Sequence, residues 1–168
     1  MEAFKRLDGR VPFATHLIVG GGAAMILAYR HMLATEDVDA FAAKGSTRLD
    51  QLDAAAKAVA RELDLEPDWL NSHFDTYTDV LPRDFKDRLR DVFSGDNLRV
   101  DALGPEDLLV MKCFAARDKD RPHAIRLIKL SKDLEIVDRR LTELGEKRYP
   151  KAQQALDYFD DLKDEVGS

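Results

Sequence analysis

Three consecutive glycines, Gly20, Gly21 and Gly22, are followed by two aspartates with one residue between them, Asp37 and Asp39. In a strand successive side chains alternate, so Asp37 and Asp39 leave the same face. Carboxylates held side by side repel each other unless a cation sits between them. Mg²⁺ is a hard cation that takes oxygen ligands, and it commonly joins one or two carboxylates to waters and substrate phosphates. Glycines let the backbone approach a ligand closely, and amide hydrogens at the start of a helix can hold phosphate oxygens. Together these features describe a site for a nucleoside triphosphate carried with Mg²⁺ or Mn²⁺. The plainer alternatives are a solvated strand face for the aspartates and a tight strand–helix turn for the glycines.

Rival chemistries fit less well. In a GxGxxG pattern counted from Gly20 the sixth position is Met25, and no GK[ST] follows the glycines. No serine lies in a GxSxG context. His16, His31, His73 and His123 are not spaced as a metal-binding HExxH. Cys113 is the only cysteine, which excludes an intrachain disulfide and a thiolate zinc cage; its apolar neighbours predict a buried, inert thiol. The 168 residues carry 26 Lys+Arg against 32 Asp+Glu, a net charge of −6, which argues against a protein that coats DNA non-specifically. The stretch HLIVGGGAAMILAY falls short of the ~20 residues that span a bilayer, so no membrane association is expected. The opening MEAFKRLDGR lacks an apolar h-region, so a cytoplasmic protein without a signal peptide is expected.

The elements that must position these residues can be read in outline. Residues 4–14 form a short amphipathic lead-in closed by Pro12. His16 to Val19 reads as a strand entering the glycine turn, and residues 23–33 as a helix of good helix formers. EDVDAFAA alternates and reads as a strand, with Asp37, Asp39 and Phe41 on one side and Val38 and Ala40 on the other. A helix follows from about Leu49 to Leu63, then a helical turn from Pro67 through Leu70, then a loop. FKDRLRDVF, residues 85–93, reads as helix or irregular structure, SGDN as a turn, and LRVDAL, residues 98–103, as a third strand. Pro105 opens a long helix with Glu106 and Asp107 at its positive end. Lys112 is the one charge in its stretch LLVMKCFAA, and helical spacing sets Lys112, Ala116, Lys119 and His123 near one face. Further helical patterns follow Pro122, around residues 134–145, and at 151–166. The pattern predicts an α/β (α+β) fold, a small mixed sheet flanked by helices, with C-terminal helices.

Residues 19–41, VGGGAAMILAYRHMLATEDVDAF, resemble the signature of the polymerase-beta-like nucleotidyltransferases: a hydrophobic strand, a glycine turn, a helix, then Asp-x-Asp. More narrowly, the chain resembles the small bacterial nucleotidyltransferase-like proteins related to toxins of abortive-infection toxin–antitoxin pairs. EPDWLN at 66–71, PEDLLVMKCFAARDKDRPH at 105–123 and KRYP at 147–150 are similar to segments of those proteins.

The resemblance implies one nucleotidyltransferase-like domain over residues 1–168, with 105–168 as its helical C-terminal part. It implies transfer of a nucleoside monophosphate from an NTP to an acceptor, which could be RNA, a protein or a small molecule. Gly20, Gly21 and Gly22 would meet the triphosphate, with Thr35 just before the acidic pair and Lys112 at the phosphates. Asp37 and Asp39 would be metal-binding carboxylates. Asp101 is the best match for the third acid, which orients or deprotonates the acceptor, with Asp75 and Asp79 as competitors. Two departures are expected to matter: Arg30 and His31 stand where relatives often have a glycine, and no acid follows until Asp133 where relatives often have one near His123. If the third acid is missing, the implied role is a nucleotide-binding or protein-interaction module. The acidic residues Asp157, Asp160, Asp161, Asp164 and Glu165 could then dock a basic cognate partner.

Overall fold

The computed structural model describes residues 1–30, 37–43, 49–71 and 78–167. Thr35 and Asp75 lie outside the described residues. The chain divides into two compact units: residues 1–76 with 89–103, and residues 77–88 with 104–168.

The first unit carries helices α1 (Glu2–Asp8), α2 (Gly21–Leu27) and α3 (Leu49–Leu63). Its strands are β1 (Thr15–Val19), β2 (Val38–Ala42), β3 (Leu70–Asn71), β4 (Arg90–Ser94) and β5 (Leu98–Ala102). They form one mixed sheet in the order β3-β2-β1-β5-β4. β1 runs antiparallel to β2 and parallel to β5, so the strand that enters the glycine turn lies at the centre. Leu17, Val19, Val100 and Ala102 alternate onto one face and are almost fully buried, as the apolar half of a two-faced strand pattern requires. Phe93 shares that face by register with Val100. The Phe4 ring of α1 lies 6.2 Å from Phe93 and 6.1 Å from Trp69. Trp69 is anchored by its indole N–H, which donates to the Ala56 carbonyl of α3 at 3.0 Å.

The opposite sheet face carries Asp39 and Phe41 on β2, His16 and Ile18 on β1, Arg99 and Asp101 on β5, and Asp91 on β4. The fold therefore gathers its polar, chemistry-bearing residues on one side of a small sheet.

The second unit is helical, with α4 (Pro105–Ala115), α5 (Arg121–Leu130), α6 (Glu135–Glu146) and α7 (Ala152–Gly167). Leu108, Leu109 and Val110 are successive and all almost fully buried, so α4 has no single apolar stripe; α5, α6 and α7 each pack against it. No helix among the described residues is long and apolar enough to cross a membrane.

Three expectations need correction. FKDRLRDVF is not one helix: Phe85–Arg88 is a 3₁₀ turn and Arg90–Ser94 is an edge strand of the sheet. Phe85, Leu89 and Phe93 recur every four residues and imitate a helix period, whereas an edge strand with a register shift between Asp91 and Phe93 breaks clean alternation. Leu70 belongs to a short strand rather than a helical turn. Helix α2 stops at Leu27, and Arg30 takes the left-handed conformation at φ 50°. That is the conformation in which a glycine costs least.

Candidate active site at the glycine turn

Strand β1 delivers the chain to Gly20, whose N–H donates to the Asp39 carbonyl at 2.9 Å. The antiparallel register thus sets Asp39 opposite the glycine turn. Gly21 has φ +56°, and a Cβ built on it would lie 2.5 Å from Asp39 Oδ2. Both facts demand glycine there, one through the backbone and one through space. The Asp39 carboxylate therefore lies directly over the Gly21 backbone at the start of α2.

Asp37 precedes β2 on the same alternation as Asp39 and is exposed. Asn71 on β3 is the register partner of Asp39, and its amide Nδ2 lies 3.4 Å from Asp37 Oδ2. Two carboxylates, a glycine backbone and an amide side chain thus share one end of the sheet. This donor set fits a hard divalent cation, for which one or two carboxylates suffice when phosphate oxygens supply the rest. The space that a side chain at position 21 would fill is occupied by Asp39 itself, which ties the acid to the turn.

Asp101 behaves differently. It sits on β5 opposite Ile18 of β1, on the same sheet face as Asp39 but two strands away, roughly 10 Å between backbones. It is 1% exposed, and His16 Nε2 donates to its Oδ2 at 2.7 Å. Arg99 adds Nε to Oδ2 at 2.9 Å and Nη2 to Oδ1 at 3.3 Å. The Asp101 hydrogen bonds raise the Arg99 guanidinium above its ordinary pKa. His16 and Arg99 are register partners near the start of their parallel strands, whereas the glycine turn follows the far end of β1. Among the described residues, no group of three or more His, Cys, Asp or Glu side chains is placed to hold a metal ion.

Lys112 lies in the second unit. Its ammonium is 2.8 Å from Asp120 Oδ1, and only 13% of its side chain is exposed. His123 Nδ1 lies 3.6 Å from the same Asp120 oxygen. Lys112, Asp120 and His123 therefore form a compact charged cluster inside the helical unit. Asp79 is an exposed residue of that same unit.

Arg99 shares the face of Asp101, as the alternation of LRVDAL predicts. His16 and Asn71 are not legible as parts of this face, because their roles follow from strand pairings that no local pattern encodes.

A mixed sheet whose central strand feeds a glycine turn, beside a strand entered through Asp-x-Asp, has the order of elements that the nucleotidyltransferase resemblance implies. The family model described as "Nucleotidyltransferase of unknown function (DUF6036)" matches residues 2–162, and the chain belongs to that family. No curated protein and no solved structure matches the chain.

Proposed function

We propose that the chain binds a nucleoside triphosphate with Mg²⁺ or Mn²⁺ at Gly20–Gly22, Asp37 and Asp39, and transfers its nucleoside monophosphate to an acceptor. An acceptor oxygen would form a bond to the α-phosphorus while the bond to pyrophosphate breaks and pyrophosphate leaves. The placement of Asp39 against the glycine turn carries this reading, because it sets an acid suited to a divalent cation beside the backbone at the start of α2. When bound, the cation would offset charge on the phosphate oxygens. Asn71 would orient Asp37. Asp101 would orient or deprotonate the acceptor, which requires its carboxylate to exchange His16 and Arg99 for the acceptor hydroxyl. The acceptor class is RNA, a protein or a small molecule, and a toxin–antitoxin role with a cognate partner belongs to this proposal.

One observation favours a second reading, nucleotide binding without transfer: the Asp101 carboxylate is already taken by His16 and Arg99. Calorimetry with each of the four NTPs and Mn²⁺ tests the shared part of both readings. The parent protein is expected to bind at least one, and Asp39→Asn to weaken that affinity by about tenfold or more. Equal affinity in Asp39→Asn and parent would remove Asp39 from the site.

A further inference from the structure

The second unit contains a cleft of about 450 Å³, within the ~300–1,000 Å³ range of small-ligand sites. One wall is a single face of α6, where Ile136, Arg139, Arg140 and Glu143 follow helical spacing, with Lys147 just past its end. The other wall is the segment Pro82, Arg83 and Asp84. Four cationic side chains thus meet two acids, in a chain whose net charge is −6.

Both acids are satisfied within the unit. Arg88 bonds Asp84 at 3.0 Å and holds that carboxyl below its ordinary pKa. Arg140 donates to Glu143 at 3.2 Å. Arg140 is committed as well, because its Nε and Nη2 donate to the carbonyls of Val80 and Asp79, each at 2.8 Å. Arg83, Arg139 and Lys147 remain outside these short bonds, with Arg139 acting on Asp84 only from longer range. All three are exposed and form no ion pair among the described residues. Three cations lining one concavity repel one another, and an anion held among them removes that repulsion. Arginine forks match phosphate oxygens in pairs, and lysine adds a point charge. Pro82 and Ile136 add apolar surface for the remainder of a ligand.

We propose that this cleft is a binding site for a small phosphate-bearing molecule, held by Arg83, Arg139 and Lys147. The volume of the cleft matches a small ligand rather than a length of nucleic acid. The site uses none of Gly20–Gly22, Asp37 or Asp39, so it stands independently of nucleotide transfer.

Calorimetry in EDTA tests it, because chelation leaves the glycine turn without its cation. The probes are pyrophosphate, ADP and a single-stranded RNA 20-mer. Pyrophosphate or ADP should bind the parent and Asp39→Asn alike. The triple variant Arg83→Ala, Arg139→Ala, Lys147→Ala should lose about tenfold or more in affinity. Its circular dichroism should match the parent, since all three side chains are exposed. Equal binding by the triple variant overturns the proposal, as does parent protein that binds neither small probe. Binding of RNA alone, lost in the triple variant, overturns it in favour of a nucleic-acid surface.

Discussion

Gly21 and Asp39 constrain each other. Alanine at position 21 would be strained by the left-handed backbone, about 1–2 kcal/mol, and its Cβ would crowd Asp39 Oδ2. The acid must then swing away from the turn. Gly21→Ala is expected to lower the thermal midpoint modestly and to weaken Mn²⁺–NTP binding about as strongly as Asp39→Asn does. A melt combined with calorimetry checks both parts. Unchanged nucleotide affinity in Gly21→Ala would separate Asp39 from the phosphate site. The same close approach recurs at Gly95, where a Cβ would collide with the Asp8 carboxylate. In both places an aspartate oxygen occupies the space a side chain would need.

At the scale of elements, Asp8 fixes the β4–β5 turn. Its carboxylate accepts the backbone N–H groups of Asp96, Asn97 and Leu98 at 3.2, 2.8 and 2.7 Å. Burial alone would raise the Asp8 carboxyl, but bonds from Asn97, Leu98 and Asp96 outweigh it and hold the pKa below 3.8. A carboxyl lowered in the folded state contributes stability above its unfolded pKa and loses it as pH falls through the folded value. Asp8→Ala should cost about 1 kcal/mol at pH 7, because water screens this partly exposed carboxylate; urea denaturation reads it, and the difference from parent should shrink below pH 4. An undiminished difference in acid would mean that the charge of Asp8 is not what holds the turn. Elements written into local sequence were legible. The alternation of EDVDAFAA predicted β2, and the stripe Leu52, Ala56, Val59 predicted α3. Pro105 with its two acids marked the start of α4. Edge strand β4 was not legible, because Phe85, Leu89 and Phe93 follow a helix period while the pairing with β5 is set by the tertiary fold. For the site, the glycines and Asp39 were legible because strand, turn and strand are local. The partners of Asp101 were not, because His16 is 85 residues away in sequence and meets it only through the parallel β1–β5 register.

At the scale of the whole molecule, each unit carries its own buried charge. In the second unit Arg88 grips Asp107 with Nε to Oδ2 at 3.0 Å and Nη2 to Oδ1 at 2.7 Å, and Asp107 is 0% exposed. Burial pushes the Asp107 carboxyl up to about 6, against the pull of Arg88. A carboxyl raised in the folded state favours folding most below its unfolded pKa and loses that contribution as pH rises through the folded value. Arg88→Met leaves Asp107 buried without its cation, which should cost about 3 kcal/mol or more at pH 7.5. The loss should be smaller at pH 5, where Asp107 takes a proton; denaturant titrations at the two pH values check this, and equal losses would contradict it. In the first unit Asp101 holds the corresponding position with His16 and Arg99, on the same sheet face as the glycine-turn acid. The central claim is that this face serves nucleotide transfer. It is tested most directly by incubating the purified protein with α-³²P-labelled NTPs, Mg²⁺ or Mn²⁺, and a cell extract, and following label into an acceptor. The account predicts that α-label is incorporated, that γ-label is not, and that Asp39→Asn abolishes incorporation. Absence of incorporation from all four NTPs, or equal incorporation by Asp39→Asn, would contradict it.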